Sequence, residues 1–277
     1  MAGAQAATGA PLRGQYAASV HRRLALVRRP SPKLADGIVT HIERSSSVDP
    51  GLAERQWEEY CQVLQDRGWS LVQAPAADDC PDGVFVEDQV FVYGDVAVLC
   101  RSGAVERRAE QEGLRAVLEA QGYRCVEIEA PGTLDGGDIL KHARRVWVGR
   151  GGRSNDEGIR QLAAALAPLR LTVTPVPTTR ALHLKSALTA LPDGTIIGWD
   201  PVVDDPSLFD AVGYLPVPEE PGAHVVLLGG DSVLLSAAAP RTAQLLRERG
   251  LDVTVVDISE FEKLEGCVTC LSVRLRG

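Results

Sequence analysis

Residues 84–100 read VFVEDQVFVYGDVAVLC, which is a short apolar strand, a polar turn and a second apolar strand. The same pattern recurs three more times along the chain, in residues 137–148, 182–198 and 223–235. Helical patterns lie between the strand pairs, and each helix is followed by one further apolar strand. A supersecondary unit that recurs at such a period indicates a repeat architecture rather than a single open sheet.

The spacing of the repeats is regular enough to predict how many there are. From Asp88 to Asp138 is 50 residues, and the next two intervals, to Ser186 and then to Gly229, are 48 and 43 residues. The first and last strands of the chain lack local partners, so we expect them to pair and to complete a fifth unit. Radial closure would remove the exposed sheet edges. The predicted fold class is therefore α/β, with five ββαβ-type repeats and pseudo-fivefold symmetry.

An open doubly wound α/β sheet is the alternative fold, but no G-x-G-x-x-G motif follows a strand and opens a helix. Gly136-Gly137 and Gly229-Gly230 are each followed by Asp and a strand.

The helices are expected at residues 50–67, 105–121, 155–169 and 240–249, with Ser154 as the cap of the third. The unpaired terminal strands are expected at residues 23–27 and 268–274, and the strands after helices at 70–74, 124–128, 171–176 and 252–256.

Composition and charge exclude several classes of function. The 277 residues carry 29 Lys and Arg against 37 Asp and Glu, and the net charge of −8 argues against nucleic-acid binding. No apolar run is long enough to cross a membrane, and no secretory signal is recognisable. Residues 1–18 are expected to be a disordered Ala/Gly-rich tail before a single catalytic domain at 19–277, although the acid-free, Arg-containing N-terminus also loosely resembles a transit peptide.

The cysteines predict a reducing compartment, and we expect a cytoplasmic location. Cys267 and Cys270 form a Cys-x-x-Cys pair, but two further ligands for a structural zinc site are missing nearby. The pair also does not open a helix after a strand, as a thioredoxin-like pair would. We therefore interpret the spacing as coincidental, with at most one of the two thiols taking part in chemistry.

Ionisable residues recur at one phase of the repeat, inside otherwise apolar segments where they are costly unless paired. If Cys270, His183 and one carboxylate meet at the axis, they form a nucleophile, a base and an orienting acid. The remaining acids would then await a planar cation such as a guanidinium, and Arg107 and Arg153 could hold a carboxylate. The implied ligand has a guanidinium at one end and a carboxylate at the other, as arginine does.

Four motifs together resemble the dimethylarginine dimethylaminohydrolase family of the pentein superfamily. They are PDGVFVED at residues 81–88, TLDGGD at 133–138, LHLKS at 182–186 and TCLS at 269–272. They fall in family order, and the resemblance runs from about residue 24 to the C-terminus. It implies a five-bladed α/β propeller and hydrolysis of N-ω-methylated arginines to citrulline and dimethylamine or methylamine. It also implies that no metal or organic cofactor is needed.

The resemblance also implies a role for each site residue. Cys270 resembles the nucleophile and His183 the general acid and base, with Asp135 in the place of the orienting acid, which some relatives fill with Glu. The substrate-binding residues it implies are Glu87 and Asp88 for the guanidinium, Asp82 for the α-amino group, Arg107 and Arg153 for the α-carboxylate, and Ile38 and Leu264 for backbone contacts at the pocket mouth.

One position favours a methylated substrate. Relatives that act on unmethylated arginine or agmatine carry an acid two residues after the catalytic histidine, whereas this chain has Lys185. The alternatives are an arginine or agmatine deiminase, an amidinotransferase, a non-enzymatic binder of cationic amino acids, and a redox or zinc protein that uses Cys267 with Cys270. A small molecule is the expected partner, without nucleic acid or membrane, and a homo-oligomer is left open.

Overall fold

The strands form five three-stranded sheets in the computed structural model, which describes residues 23–43 and 46–276. In each sheet the middle strand pairs antiparallel with an inner strand and parallel with an outer strand. The sequence-based prediction of a five-bladed α/β propeller is thus confirmed. The expected tail, residues 1–18, lies outside the described residues.

The strands are β1 Arg23–Val27, β2 Ser70–Gln73, β3 Val90–Tyr93, β4 Val96–Leu99, β5 Arg124–Glu127, β6 Ile139–His142, β7 Arg145–Gly151, β8 Thr172–Thr178, β9 Leu188–Ala190, β10 Ile196–Gly198, β11 Tyr214–Pro216, β12 Val226–Gly229, β13 Ser232–Ser236, β14 Asp252–Val256 and β15 Val273–Arg276. The α-helices are α1 Pro50–Asp66, α2 Leu114–Ala120, α3 Asp156–Leu166, α4 Leu184–Ala187, α5 Pro240–Glu248 and α6 Ser259–Glu262. None of these described helices is long and apolar enough to cross a membrane.

The two ends of the chain close the propeller. Strand β1 pairs antiparallel with β15, with Leu24 opposite Leu275 and Leu26 opposite Val273, and parallel with β2. Leu26 and Leu275 are buried in one apolar cluster with Val90 of the next blade. The expectation that the terminal strands complete a fifth unit is therefore confirmed.

The inner strands are shorter than predicted, because the structure has turns where the polar residues precede them. Short turns precede β3, β6, β9 and β15 there, and they include 3-10 turns at Val86–Gln89 and Gly136–Asp138 and helix α4. The Asp88 carboxylate accepts from Gly137 N–H, and that of Asp138 accepts from Leu184 N–H. These carboxylates accept from backbone N–H groups that could otherwise pair with a neighbouring strand. Each of these inner strands therefore begins later than its apolar sequence pattern predicts.

The helices and the fourth blade also differ from expectation. Asn155, rather than Ser154, caps α3 by accepting from Gly158 N–H. The helix expected at residues 105–121 is a 3-10 segment followed by α2, because Gly113 with φ +74° breaks it. The fourth blade has strand β11, which our sequence analysis missed, since three residues ending in proline carry no periodicity.

The turn that carries Cys270 is anchored from outside the ring. The Tyr60 hydroxyl, on α1, lies 2.9 Å from the Val268 carbonyl oxygen and 2.7 Å from Ser272 Oγ. Phe85 packs directly against Gly266, where a Cβ would lie 2.3 Å from the ring. The cysteine turn is thus held between the first helix and a neighbouring blade.

We expect Leu275→Ala to destabilise the whole propeller. The side chain is 1% exposed in the closing strand, and removing a buried leucine side chain costs about 2–5 kcal/mol of unfolding free energy. Urea unfolding of this variant and of Val255→Ala, whose side chain is 42% exposed on β14, measures the difference. Equal stabilities for the two variants would contradict a closing role for β15.

Candidate active site

A cavity lies at the end of the ring where the inner strands begin. Of the catalytic and substrate-binding residues expected from the sequence, it brings together all except Asp135 and Glu87. The lining residues are Ile38, Asp82, Phe85, Asp88, Arg107, Arg153, Leu182, His183, Leu264, Glu265, Gly266 and Cys270. The turns before β3, β9 and β15 contribute Asp88, His183 and Cys270, so residues far apart in the chain meet here.

His183 lies between two carboxylates. Its Nε2 is 3.0 Å from Oδ2 of Asp135, a residue that is completely buried. Its Nδ1 is 3.7 Å from Oδ1 of Asp88. Burial by itself would lower the pKa of His183, but the charge of Asp88 and the hydrogen bond with Asp135 outweigh it and raise the pKa to about 9. The imidazole is therefore protonated at neutral pH.

Asp88 remains ionised although it is buried. Burial opposes ionisation, but the positive charges of His183 and Arg107 lower the pKa of Asp88 to about 2. Gly137 makes this close approach possible, because a Cβ there would lie 2.5 Å from Asp88 Oδ1 and 2.7 Å from His183 Nδ1. Gly137, the second glycine of the TLDGGD motif, is therefore required by the packing at the site.

The two candidate arginines differ in how much of each guanidinium is free. Arg107 is buried and donates to Asp88 Oδ2 at 2.6 Å and to Glu110 through Nε and Nη2 at 2.8 and 2.9 Å. Arg153 has a weaker contact, 3.5 Å from Asp135 Oδ2, and is 11% exposed. Arg153 thus has more donor capacity to offer a ligand than Arg107 has.

At the mouth of the cavity, two carboxylates hold the segment that contains Ile38. Both Asp82 oxygens accept from Ile38 N–H, at 3.2 and 3.1 Å, and burial raises the pKa of Asp82. Glu265 accepts from the backbone N–H groups of Thr40 and Ile42, each at 2.9 Å, and from that of His41. Glu265 was missed in our sequence analysis because nothing local marks it as facing this segment.

A second polar layer holds the catalytic turn in place. Ser154 Oγ donates to Asp138 Oδ2 at 2.6 Å and accepts from Asp135 N–H at 3.1 Å. Asp138 also accepts from Leu184 N–H at 3.0 Å, next to His183, and burial raises the pKa of Asp138 to about 6. Neither residue was assigned a role at this site from the sequence. Ser154 was expected only as a helix cap, and Asp138 could have been found because it ends the TLDGGD motif.

The structure does not bring Glu87 to the cavity, which corrects our expectation for this residue. Its Oε1 lies 2.6 Å from Lys185 Nζ and 3.7 Å from Arg274 Nη2, in a separate cavity of about 130 Å3 farther along the axis. Glu87 and Asp88 are consecutive in a tight turn, so their side chains leave the backbone in different directions. Lys185 also lies outside the Cys270 cavity, and it neutralises Glu87 rather than facing a ligand there.

Cys270 is the thiol that lines the cavity, and Cys267 lies directly behind it. The two Sγ atoms are 3.2 Å apart. The hydrogen bond between the two sulfurs lowers the pKa of Cys267 well below its ordinary value, and the same bond, with burial, raises the pKa of Cys270. In the part of the chain that the structure describes, no group of three or more His, Cys, Asp or Glu side chains is arranged to hold a metal ion.

This arrangement can perform acyl-transfer-like chemistry on a cationic carbon. A thiol, an imidazolium and an ionised carboxylate share one small cavity, while Arg153 and Asp82 lie at its edge. The acids attract a cation, the thiol can attack it, and the imidazolium can protonate a leaving group.

Two curated relatives share most of their length with this chain, while no protein-family model matches it. An N(G),N(G)-dimethylarginine dimethylaminohydrolase of Streptomyces coelicolor is 57% identical over 252 residues, which covers 91% of this chain and 96% of that protein. The enzyme of the same name from Pseudomonas aeruginosa is 32% identical over 252 residues, with 90% and 98% covered.

Solved structures are similar over the same region. A histidine-to-glycine variant of a dimethylarginine dimethylaminohydrolase, as its adduct with S-methyl-L-thiocitrulline, has a TM-score of 0.86 at 30% identity, with 92% of this chain and 100% of that chain covered. A cysteine-to-serine variant from P. aeruginosa with citrulline has a TM-score of 0.85 at 30% identity and the same coverage. The N-terminal domain of a cyanobacterial arginine dihydrolase has a TM-score of 0.80 at 22% identity, covering 91% and 97%, and shares the fold.

We expect Asp135→Asn to lower the pKa of His183 from about 9 toward the ordinary value near 6.5, because a carboxylate that stabilises the imidazolium is lost. An NMR titration of the imidazole measures the shift. Asp252→Asn, which alters an exposed carboxylate paired with Arg67, is the control and should leave the titration unchanged. An unaltered His183 titration in Asp135→Asn would contradict the electrostatic origin of the raised pKa.

Proposed function

The chain belongs to the dimethylarginine dimethylaminohydrolase family, and from this premise we propose how its own residues hydrolyse N-ω-methylated arginines to citrulline. The substrates are asymmetric dimethylarginine and monomethylarginine, and the amine products are dimethylamine and methylamine. The reaction passes through a covalent intermediate on Cys270. One feature favours this function most: the cavity that Cys270 lines also holds an imidazolium kept charged by two carboxylates.

Substrate binding uses opposite charges at the two ends of an arginine-like ligand. Asp88, which stays ionised, attracts the guanidinium. Arg153 binds the α-carboxylate, with Arg107 in a supporting position because Asp88 and Glu110 already occupy most of its donors. Asp82 accepts from the α-amino group while it also holds Ile38 at the mouth.

The substrate itself activates the nucleophile. In the unliganded site, the hydrogen bond with Cys267 and burial raise the pKa of Cys270, so its thiol keeps its proton. A guanidinium cation beside the sulfur lowers the pKa of Cys270. The resulting thiolate attacks the guanidinium carbon and forms a C–S bond.

His183 then acts in both half-reactions. With its pKa near 9 it is protonated at neutral pH and donates its proton to the departing amine as the C–N bond breaks. A thiouronium group remains on Cys270. The neutral imidazole next takes a proton from water, and the resulting hydroxide attacks the carbon. The C–S bond then breaks, the proton of the added hydroxyl group passes to the Cys270 sulfur, and citrulline leaves with the thiol and the imidazolium restored. Asp135 keeps the ring oriented throughout.

The supply of hydrogen-bond acceptors favours a methylated guanidinium. Glu87 is directed away and neutralised by Lys185, and Glu265 is occupied by backbone N–H groups. Asp88 is left as the acid for the guanidinium. A dimethylated nitrogen brings no N–H to satisfy, whereas an unmethylated one would bury unpaired donors at a cost of about 1–3 kcal/mol.

The organisation of the chain fits one catalytic domain over residues 19–277, because the described site draws its residues from turns of several blades. All six cysteines are free in the structure, which is in keeping with the cytoplasmic location expected from the sequence. The oligomeric state is open between a monomer and a homo-oligomer, and a size measurement in solution distinguishes them.

We expect asymmetric dimethylarginine and monomethylarginine to exceed arginine and agmatine in kcat/KM by at least about tenfold. The reason is that an unmethylated guanidinium brings N–H donors that find no acceptor in the cavity. Citrulline formation from the three amino acids, and carbamoyl-putrescine formation from agmatine, measure the panel. Cys270→Ser is the control and should give no product from any substrate. Comparable turnover of arginine or agmatine would place the protein among the deiminases of the same fold.

We expect Arg153→Ala to raise KM for asymmetric dimethylarginine at least about tenfold, because a charge-assisted contact is worth about 1.5–3 kcal/mol. A matched substrate without the α-carboxylate, dimethylagmatine, should be affected much less. Arg150→Ala, which removes an exposed arginine paired with Asp156, is the control. Equal losses on both substrates would show that Arg153 supports the fold or the chemistry instead of the carboxylate.

A further inference from the structure

The second cysteine of the Cys-x-x-Cys pair is placed for chemistry that the hydrolytic mechanism does not use. Cys267 Sγ lies 3.2 Å from Cys270 Sγ, and both residues are buried, at 3% and 7% exposed. Cys267 does not line the cavity, so it is within reach of Cys270 and not of a substrate. Our interpretation of the spacing as coincidental is therefore corrected by the fold.

The turn between the two cysteines keeps their sulfur atoms together. Cys270 N–H donates to the Cys267 carbonyl at 3.0 Å, and Thr269 Oγ1 lies 3.2 Å from Cys267 Sγ. Tyr60 anchors the middle of the turn at Val268. A disulfide needs a sulfur–sulfur distance of about 2.05 Å, so the sulfur atoms have to approach by only about 1.2 Å.

We propose that Cys267 is a resolving cysteine, and that a neutral peroxide converts the pair into a Cys267–Cys270 disulfide that reversibly blocks the enzyme. One sulfur attacks a peroxide oxygen, the O–O bond breaks, and a sulfenic acid and water result. The other sulfur attacks the sulfenic sulfur, the S–O bond breaks, and a second water leaves as the S–S bond forms. The two sulfurs together supply the two electrons that reduce one peroxide.

The surroundings of the pair favour this oxidant class and this outcome. Cys270 faces a small cavity in which the carboxylates of Asp82, Asp88 and Glu265 are balanced by the positive charges of Arg107, Arg153 and His183, so a small neutral oxidant can enter it without an electrostatic penalty. Cys270 can pass its proton to Cys267 across the 3.2 Å sulfur–sulfur contact, which gives the cavity-facing thiolate that reacts with peroxide. A resolving thiol at contact distance intercepts the sulfenic acid before it is oxidised irreversibly.

The loss of activity on oxidation rests on the proposed function, because it requires Cys270 to be the nucleophile. Formation of the Cys267–Cys270 disulfide does not depend on that role. Trypsin cleavage after Lys263 and Arg274 releases residues 264–274 with both cysteines in one peptide. The experiment therefore measures the bond by the mass of that peptide, which loses two hydrogens on oxidation, and measures citrulline formation separately.

The test treats wild-type enzyme and the Cys267→Ser and Cys125→Ser variants with hydrogen peroxide, removes the peroxide with catalase, and assays each before and after dithiothreitol. Wild type and Cys125→Ser should lose most of their activity, show the lighter peptide and recover with dithiothreitol. Cys267→Ser should lose whatever activity it starts with and should not recover it with dithiothreitol, because its Cys270 proceeds to sulfinic acid.

Two results would overturn the proposal: no internal disulfide in residues 264–274 of inactivated wild type, or equal recovery of Cys267→Ser and wild type. A disulfide in fully active enzyme would instead overturn the nucleophile assignment for Cys270, and with it the block, while the bond itself would stand. The peptide mass and the activity thus separate failure of this inference from failure of the proposed function.

Discussion

The rest of this site depends on a buried imidazolium held between Asp88 and Asp135. Charges in a protein interior are costly unless they are paired, and here His183, two carboxylates and Arg107 compensate one another. The pairing keeps Asp88 ionised and His183 protonated, which are the charge states that attract a guanidinium and protonate an amine. The charges that make burial possible are therefore the same charges that the reaction uses.

The propeller brings these charges together by repeating one local device. A short turn precedes each of four inner strands, and three of these turns direct Asp88, His183 and Cys270 into one cavity. Gly137 provides the space in which Asp88 and His183 meet, and Asp138 with Ser154 fixes the turn before His183. The strands supply rigidity, while the turns supply chemistry, so the blades can differ in function and still close the same ring.

The fold could be predicted from the sequence because its pattern is repeated. The site was predicted wrongly where the side chains of two neighbouring residues point in different directions. The recurring strand pairs and the unpaired terminal strands were sufficient to predict five blades closed by the chain ends. Glu87 and Asp88 are adjacent and chemically alike, so no pattern could say that only Asp88 faces His183. The direction of a side chain in a tight turn depends on backbone angles and on partners such as Lys185, which come from another blade.

The fold class, the motifs that carry the family resemblance and the residue types of the site could be predicted from the amino-acid sequence alone, because apolar periodicity and local motifs are properties of short segments. The packing of the blades settled which of those residues share a cavity. It separated Glu87 from the site, committed Arg107 to Glu110 and Asp88, and joined Glu265 to the segment at the mouth. It also placed Cys267 against Cys270, since sulfur–sulfur contact depends on how a turn is packed between distant helices and blades, and spacing along the chain does not encode that packing.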